Sequence, residues 1–221
     1  MSINSILRGS GLALLLLLGT AVHAEEELCE PFQNGLVDES LVARMLSAAE
    51  GGYLYRINAK SSRVGFCIDS QFNLVEGSFN DFQGGLALGP DDSINGQTLV
   101  VIRTASLDTG GSLLESLLKG RRFFDVKNYP EILFVSNGFE WISDKKAVLK
   151  GDLTLHGVTR PVVFDVELSN VTENQAGRSD MILFKASTSI RRSEFGMDTL
   201  SSVASDTVKI CMTVEALKYR T

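Results

Sequence analysis

The stretch from Gly151 to Leu168 constrains the fold of this 221-residue chain more than any other part of it. Apolar and polar residues alternate there in two runs, one on each side of Gly157, and a period of two residues is typical of strands with one apolar face. Gly157 can adopt the positive φ of a tight turn, and Pro161, which donates no backbone hydrogen bond, belongs at the start or edge of a strand. The stretch therefore predicts a β-hairpin whose apolar members are Leu153, Leu155, Val162, Phe164, Val166 and Leu168.

The same alternation continues through most of the chain after residue 53, so a mainly β fold is expected. Turn-forming residues separate several of the runs, as at Asn95-Gly96 and at 143–146. Closing many antiparallel strands into a barrel removes exposed edges, and an eight-stranded barrel can hold side chains or one slender ligand. The predicted strands lie near 53–59, 62–70, 74–88, 97–106, 131–143, 146–156, 161–171, 180–190 and 206–218.

One segment, Ser112–Lys119, interrupts the β pattern with leucines at helical spacing. It predicts a short helix that caps one end of the barrel. The expected fold is a closed antiparallel eight-stranded barrel with a short capping helix and an N-terminal helical extension.

The N-terminal residues 1–24 have the features of a cleavable signal peptide. Arg8 supplies the basic start, residues 12–18 the apolar core, and Val22-His23-Ala24 a cleavage site of small residues. The apolar run is too short to span a bilayer comfortably. We therefore expect export of a mature chain that begins at Glu25 and contains no transmembrane segment.

Residues 25–52 form an extension of a different character. Within them, residues 38–50 place apolar residues three and four apart and are followed by two glycines, which predicts an amphipathic helix. The face formed by Leu41, Met45 and Leu46 is expected to pack on the outside of the barrel, with recruitment of a second protein as the alternative. Residues 53–221 then make up the barrel domain.

Charge and cysteine content narrow the classes of partner and compartment. Loss of Arg8 with the signal peptide would take the formal charge from −6 to −7, and an acidic chain repels nucleic-acid phosphates.

Three cysteines in an exported chain favour a disulfide. Cys67 and Cys211 are expected to face outward from the first and last strands, which are neighbours in a closed barrel. Either these two pair, or Cys29 pairs with one of them and staples the extension to the barrel wall.

No catalytic or metal site is predicted. His156 would be the single histidine of the mature chain, so any histidine-dependent mechanism would have to use it. Alternation places it at the hairpin and away from the apolar face, where a solvated turn histidine is expected. One histidine cannot build a multi-histidine metal site, and Asp125 is expected to hold the loop after the short helix.

Basic side chains offer candidates for contact with a ligand's polar headgroup. A guanidinium can bind a phosphate or a carboxylate through two hydrogen bonds. Solvated loop charges are the alternative for all of them, and a structural turn role is a further alternative for the last. The candidates are Arg121, Arg122 and Arg192.

Four motifs, taken in order, resemble the signature of the YceI-like family. They are 75–84, Arg122 to Ile132 with its Phe-Phe-Asp, the hairpin Gly151 to Val162, and Ile190 to Gly196. The chain departs from the family pattern at Ser61-Ser62 and at Arg122, where an acidic residue is common. The resemblance implies a bacterial, periplasmic, lipocalin-like barrel that binds polyisoprenoids.

The resemblance also implies a function for the apolar face. Alternation alone does not distinguish a filled barrel from one with a tunnel, so the tunnel follows from the resemblance. A long-chain isoprenoid or similar lipid, such as an isoprenoid quinone, would then bind there with no covalent step and no other cofactor. The alternatives are an enzyme acting on a lipid at the barrel mouth and an interaction protein that docks a membrane redox partner; a homodimer also stays open. The residues expected to line the tunnel are Leu153, Leu155, Val162, Phe164, Val166, Leu168, Phe184, Ile190, Ile210 and Met212.

Overall fold

The computed structural model describes residues 39–51, 53–88, 96–173 and 179–220. The predicted signal peptide, Cys29 and the predicted turn at 89–92 lie outside the described residues. The elements follow one another as α1 (Glu39–Glu50), β1 (Leu54–Ile57), β2 (Arg63–Ser70), β3 (Leu74–Phe79), β4 (Phe82–Ala87), β5 (Gln97–Arg103), β6 (Leu107–Asp108), α2 (Ser112–Lys119), β7 (Glu131–Ser143), β8 (Lys146–Leu155), β9 (Val158–Glu173), β10 (Ser179–Arg191) and β11 (Ala204–Lys218).

The described strands occupy eight positions around a closed antiparallel barrel. The first three positions each hold two short strands separated by a bend, namely β1 with β2, β4 with β3, and β5 with β6. Strands β7 to β11 fill one position each. The barrel closes because β11 pairs with β2 and then with β1, which places Ile210 opposite Phe66 and Ala216 opposite Ile57. The predicted eight-stranded barrel and the predicted helix at Ser112–Lys119 are thus confirmed.

The bend between β1 and β2 is held by backbone and side-chain groups of Glu215 in the last strand. Ser62 is buried there, and its hydroxyl accepts a hydrogen bond from the Glu215 amide at 3.0 Å. The amide of Asn58 donates to the Glu215 carbonyl at 2.8 Å, and the Asn58 side-chain amide donates to the Glu215 carboxylate at 2.6 Å. These bonds satisfy polar groups that a break in the strand would otherwise leave without partners.

Three strand predictions differ from the structure. The strand expected at 97–106 ends at Arg103, and a 3₁₀ turn over Thr104–Ser106 separates it from the short β6. The single strand expected at 74–88 is broken at Asn80 and Asp81, whose backbone groups bond instead to residues of the neighbouring bend at 103–106. Strand β9 begins at Val158 rather than near 161, so Pro161 lies inside it, opposite Asp152, and takes the edge position that was one of the two places predicted for it. Proline is tolerated there because β9 pairs with β10 only over residues 165–173, which leaves one edge of β9 without a strand partner at Pro161.

The helix α1 packs on the outer surface of the barrel, as predicted. Leu41 and Met45 are buried against apolar side chains of β1, β4 and β5, but Leu46, which was expected on the same face, is 44% exposed. Strand β5 is therefore covered on both faces, by α1 outside and by the core inside. Its sequence Leu99-Val100-Val101-Ile102 is apolar without alternation for this reason. No helix in the described part of the chain is long and apolar enough to cross a bilayer.

Replacing Leu41 with alanine tests the contribution of α1 to the stability of the barrel. We expect Leu41→Ala to lower the free energy of unfolding by about 2 to 4 kcal/mol, because a fully buried side chain is lost. Leu46→Ala, in the same helix but exposed, is the matched control and should change it by less than about 0.5 kcal/mol. Urea denaturation followed by circular dichroism measures both values. Equal effects of the two substitutions would contradict the packing of α1 on the barrel.

Candidate functional site

An apolar cavity occupies the half of the barrel nearer to α2. Its volume, counted as the space open to the centre of a water molecule, is about 170 Å³. Inward side chains of the barrel strands form its wall, and α2 with the loop that follows it covers its end. Apart from Arg192, every side chain of the described lining is apolar, among them Phe66, Ile68, Phe79, Leu114, Phe124 and Leu155. Such a site can bury apolar ligand surface, and burial of that surface drives binding.

Three aromatic rings join the cover to the wall. Phe66 of β2 and Phe79 of β3 lie with ring centroids 5.9 Å apart, and Phe124 from the loop after α2 packs at 5.8 and 5.4 Å from them. Tilted and edge-to-face contacts of this kind contribute beyond the area that they bury. Asp125, next in the chain, is buried with φ of 42°, and its carboxylate accepts a hydrogen bond from the Asn128 side chain at 2.8 Å. The loop is thus fixed by its own contacts, which is the role that the sequence predicts for Asp125.

The other half of the barrel is filled by side chains. Ala147, Phe184 and Val214 are buried there and belong to the same apolar core, but they do not line the cavity. At the boundary, the rings of Phe134 and Phe164 meet edge to face at 5.2 Å. Within the described part of the chain, the cavity is therefore blind at the end opposite α2.

The residues expected to line a tunnel divide between the two halves. All lie on the predicted strands, but only those toward α2 reach the cavity. Four others, Val162, Val166, Leu168 and Phe184, do not line it, and Val166 and Phe184 pack in the filled half. Those that do line it are Leu153, Leu155, Phe164, Ile190, Ile210 and Met212.

The cavity reaches solvent beside α2. Leu117 of α2 and Leu200 of the segment before β11 both line it, and both are about half exposed. The mouth therefore lies between α2 and residues 199–204.

Arg192 holds the segment that forms one side of the mouth. The side chain is buried, and its guanidinium donates to the carbonyl oxygens of Thr199 at 2.7 Å, Ser205 at 2.9 Å and Ala204 at 3.2 Å, as well as to that of Met197. A guanidinium engaged by four carbonyls fixes the backbone around it, since each is a charge-assisted hydrogen bond. Arg121 and Arg122 are exposed in the turn after α2 and do not line the cavity.

Asp206 anchors the 3₁₀ turn Arg192–Phe195 from the other side. Its carboxylate accepts hydrogen bonds from the Ser193 hydroxyl at 2.8 Å and the Ser193 amide at 2.9 Å. The hydrogen bonds from the Ser193 side chain and backbone hold the pKa of Asp206 below its usual value. The turn ends at Gly196, whose φ of 75° favours glycine.

His156 is packed, so the prediction of a solvated turn histidine is wrong. It forms the β8–β9 turn together with Gly157, and the two have φ of 52° and 74°. Its ring packs on that of Tyr129 at 4.5 Å, and its Nδ1 lies 3.1 Å from the Phe195 carbonyl oxygen. Among the described residues its buried Nε2 has no hydrogen-bond partner. The histidine therefore joins the hairpin to the Arg192–Phe195 turn.

Cys67 and Cys211 lie on neighbouring strands outside the cavity lining, and both are free thiols. Cys67 is opposite Lys209, and Cys211 is opposite Gly65, so the two cysteines are diagonal neighbours. Burial, followed by the nearby Cys211, raises the pKa of the Cys67 thiol. The structure forms no bond between them, and a disulfide stays a prediction.

Comparison with known proteins finds a matching family and similar chains. Residues 55–216 match the family model described as the YceI-like domain, and α1 precedes that match. A UPF0312 protein of Pseudomonas putida is 28% identical over 182 residues, which are 82% of this chain and 90% of that protein.

Two solved structures share the barrel fold. BcnA of Burkholderia cenocepacia has a TM-score of 0.65 and 24% identity, and the alignment covers 72% of this chain and 98% of that one. A polyisoprenoid binding domain from Saccharophagus degradans has a TM-score of 0.57 and 15% identity, with 75% and 98% of the two chains covered.

Substitution of Arg192 tests whether it is a structural residue. We expect Arg192→Met to lower the free energy of unfolding by about 3 kcal/mol or more, because buried carbonyl groups lose their charged donor. Arg191→Met is the matched control, since Arg191 forms an exposed ion pair with Glu194 and should matter by less than about 1 kcal/mol. Thermal and urea unfolding report both. An Arg192→Met protein as stable as the Arg191→Met protein would show that the carbonyl contacts do not hold the segment.

Proposed function

The chain belongs to the YceI-like family, and we propose that it binds a long-chain isoprenoid or similar lipid in the apolar cavity and carries it in the periplasm. The observation that carries the proposal is a cavity that has an apolar lining, opens beside α2 and ends, within the described residues, at packed core side chains. The polyisoprenoid named for the Saccharophagus degradans domain supports the choice of ligand class.

Burial of the ligand's tail supplies the affinity in this proposal. Each methylene removed from water contributes about 0.8 kcal/mol, so a tail of many carbons binds well without polar contacts. Because the cavity is blind, the tail enters with its tip first and the polar head stays at the mouth. An isoprenoid quinone and a polyprenyl phosphate both have this shape.

Contacts to the polar head fall to groups at the mouth. Arg121 and Arg122 are exposed beside it, and we propose them as headgroup contacts. Arg192, the third basic candidate, is engaged by backbone carbonyls and contributes to the shape of the mouth.

Binding is favoured over catalysis by the chemistry of the lining. Within the described lining, Arg192 is the one ionisable side chain, and its donors already serve four carbonyls. A lipid-modifying enzyme would need convergent acids, bases or nucleophiles beside the reacting group. We therefore propose that the bound lipid is released unchanged.

Export of the protein is part of the proposal and has its own test. The basic start, apolar core and small-residue site before Glu25 predict cleavage by a signal peptidase. Expression of the full-length chain in a Gram-negative host, followed by periplasmic extraction and intact-mass measurement, should give a protein that starts at Glu25. Retention of residues 1–24, or a diacylglyceryl group on Cys29, would contradict it.

Filling the cavity tests the binding proposal directly. We expect Ile210→Trp to remove most of the bound lipid, because Ile210 lines the cavity and a larger side chain there occupies the space of the tail. Overpacking also lowers stability by about 1 to 3 kcal/mol, so folding is checked by circular dichroism. Val163→Trp is the matched control, since Val163 points outward from β9 and is 52% exposed.

Native mass spectrometry and organic extraction of proteins purified from the envelope of the natural host measure the lipid. The proposal predicts lipid on the wild-type and Val163→Trp proteins and little on the Ile210→Trp protein. A folded Ile210→Trp protein with its full lipid complement, or a wild-type protein without lipid, would refute it.

A further inference from the structure

Exposed apolar side chains surround the mouth of the cavity. Leu113 on α2 is 87% exposed and Phe72 in the β2–β3 turn is 79% exposed, while Leu74, Leu117 and Leu200 are about half exposed. We call these five side chains the mouth rim. Single exposed apolar residues are ordinary, but a cluster of them marks an interaction surface.

The members of the mouth rim come together through identifiable contacts. Leu113 and Leu117 are four residues apart and share one face of α2. The β2–β3 turn is tied to the turn that contains Leu200, because the Gln71 amide donates to the Val203 carbonyl and its side chain donates to the Ser202 carbonyl, both at 2.9 Å. Leu117 and Leu200 line the same opening. The rim therefore encloses the mouth from both sides.

Basic side chains lie next to the rim. Arg121 and Arg122 are exposed directly after α2, and the following two phenylalanines line the cavity. In the described part of the chain neither arginine has a carboxylate partner, whereas Lys119 is paired with Glu115 at 2.7 Å. The whole chain is acidic, with a formal charge of −6. Two guanidinium groups without a carboxylate partner therefore make this part of the described surface more positive than the chain as a whole.

We propose that the mouth rim docks on the surface of a lipid bilayer that contains anionic lipids. The apolar rim side chains would enter the boundary between headgroups and acyl chains, and Arg121 and Arg122 would contact headgroup phosphates. An exposed apolar face flanked by basic residues is the pattern of interfacial membrane binding. The inference rests on the proposed function, because a lipid-binding cavity gives a reason for its mouth to meet a membrane.

The mouth rim surrounds the opening of the proposed lipid-binding cavity, and this position favours a bilayer over a protein as the partner. A long apolar tail that leaves a membrane through water exposes its whole surface, and this exposure is strongly unfavourable. With the rim seated on the bilayer, the tail would pass from acyl chains into the apolar cavity without that exposure. The free arginines complement an anionic headgroup layer, and the attraction between them decreases with salt.

Vesicle cosedimentation tests the docking with the exported protein. The probes are vesicles of phosphatidylcholine alone and vesicles of phosphatidylcholine with phosphatidylglycerol, both without isoprenoid. The double variant Phe72→Asp with Leu113→Asp changes two rim side chains that do not line the cavity. Ile142→Asp is the matched control, because Ile142 is 66% exposed on the β7–β8 hairpin at the opposite end of the barrel.

We expect the wild-type protein to bind the anionic vesicles and the Phe72→Asp, Leu113→Asp protein to bind them at least about ten-fold more weakly. Ile142→Asp should bind like the wild type. Arg121→Gln with Arg122→Gln should abolish the preference for anionic vesicles. Circular dichroism of every variant excludes unfolding as the cause.

Several outcomes would overturn the docking proposal. They are wild-type protein that stays in the supernatant, equal binding by the rim variant, and equal weakening by Ile142→Asp. Rim substitutions that leave vesicle binding intact but abolish capture of an envelope protein would assign the surface to a protein partner instead. Lipid extracted from the cavity is measured separately, so a protein that carries lipid without binding vesicles refutes the docking alone. A protein that binds vesicles but carries no lipid refutes only the proposed cargo.

Discussion

Pairing of the last strand with the first is the interaction on which the rest of the structure depends. Strand β11 bonds to β10 along one edge and to β2 and then β1 along the other. Without the second set, the sheet would be open and would expose two edges to water and to other chains. Ser62 and Glu215 meet at this junction although 153 residues separate them in sequence. Every inward side chain acquires its opposite neighbour only once this pairing has formed.

Sequence reasoning could predict the wall of the barrel but not what fills it. Alternation identifies which face of a strand is apolar, and it correctly predicts the β8–β9 hairpin; the helical spacing of leucines correctly predicts the short helix. Alternation alone indicates nine strands, because β1 and β2 occupy one position of the eight. The alternation of apolar and polar residues is the same in the filled half and in the half with the cavity. Whether Phe184 meets a neighbour across the barrel, or Ile210 faces open space, depends on the sum of side-chain volumes at each level and on what covers the end. No local pattern contains that information.

For other features of the structure, the sequence does contain a usable signal. The unbroken apolar run Leu99–Ile102 indicates a strand covered on both faces, and it would have shown where α1 packs. Alternation predicts a solvated His156, because the residue follows an alternating strand on the side away from the apolar face. In the structure a tight turn brings it against Tyr129 and the Phe195 carbonyl, through a contact between segments far apart in sequence. The polar side chains around the mouth, Arg192 and Asp206 among them, are engaged in holding backbone in place, and apart from Arg192 the described lining of the cavity is apolar.

The filled half of the barrel gives the cavity a fixed depth. Under the proposed function, that depth limits the length of the ligand's tail that can be buried. Once the tip of a chain reaches the level of Phe134 and Phe164, further carbons stay outside. An additional isoprene unit left in water would forgo about 4 kcal/mol of burial, at about 0.8 kcal/mol for each of its five carbons. Affinity would then rise with chain length up to the depth of the cavity and level off beyond it. Changes of side-chain size at the boundary would move that limit along the barrel axis without altering the mouth.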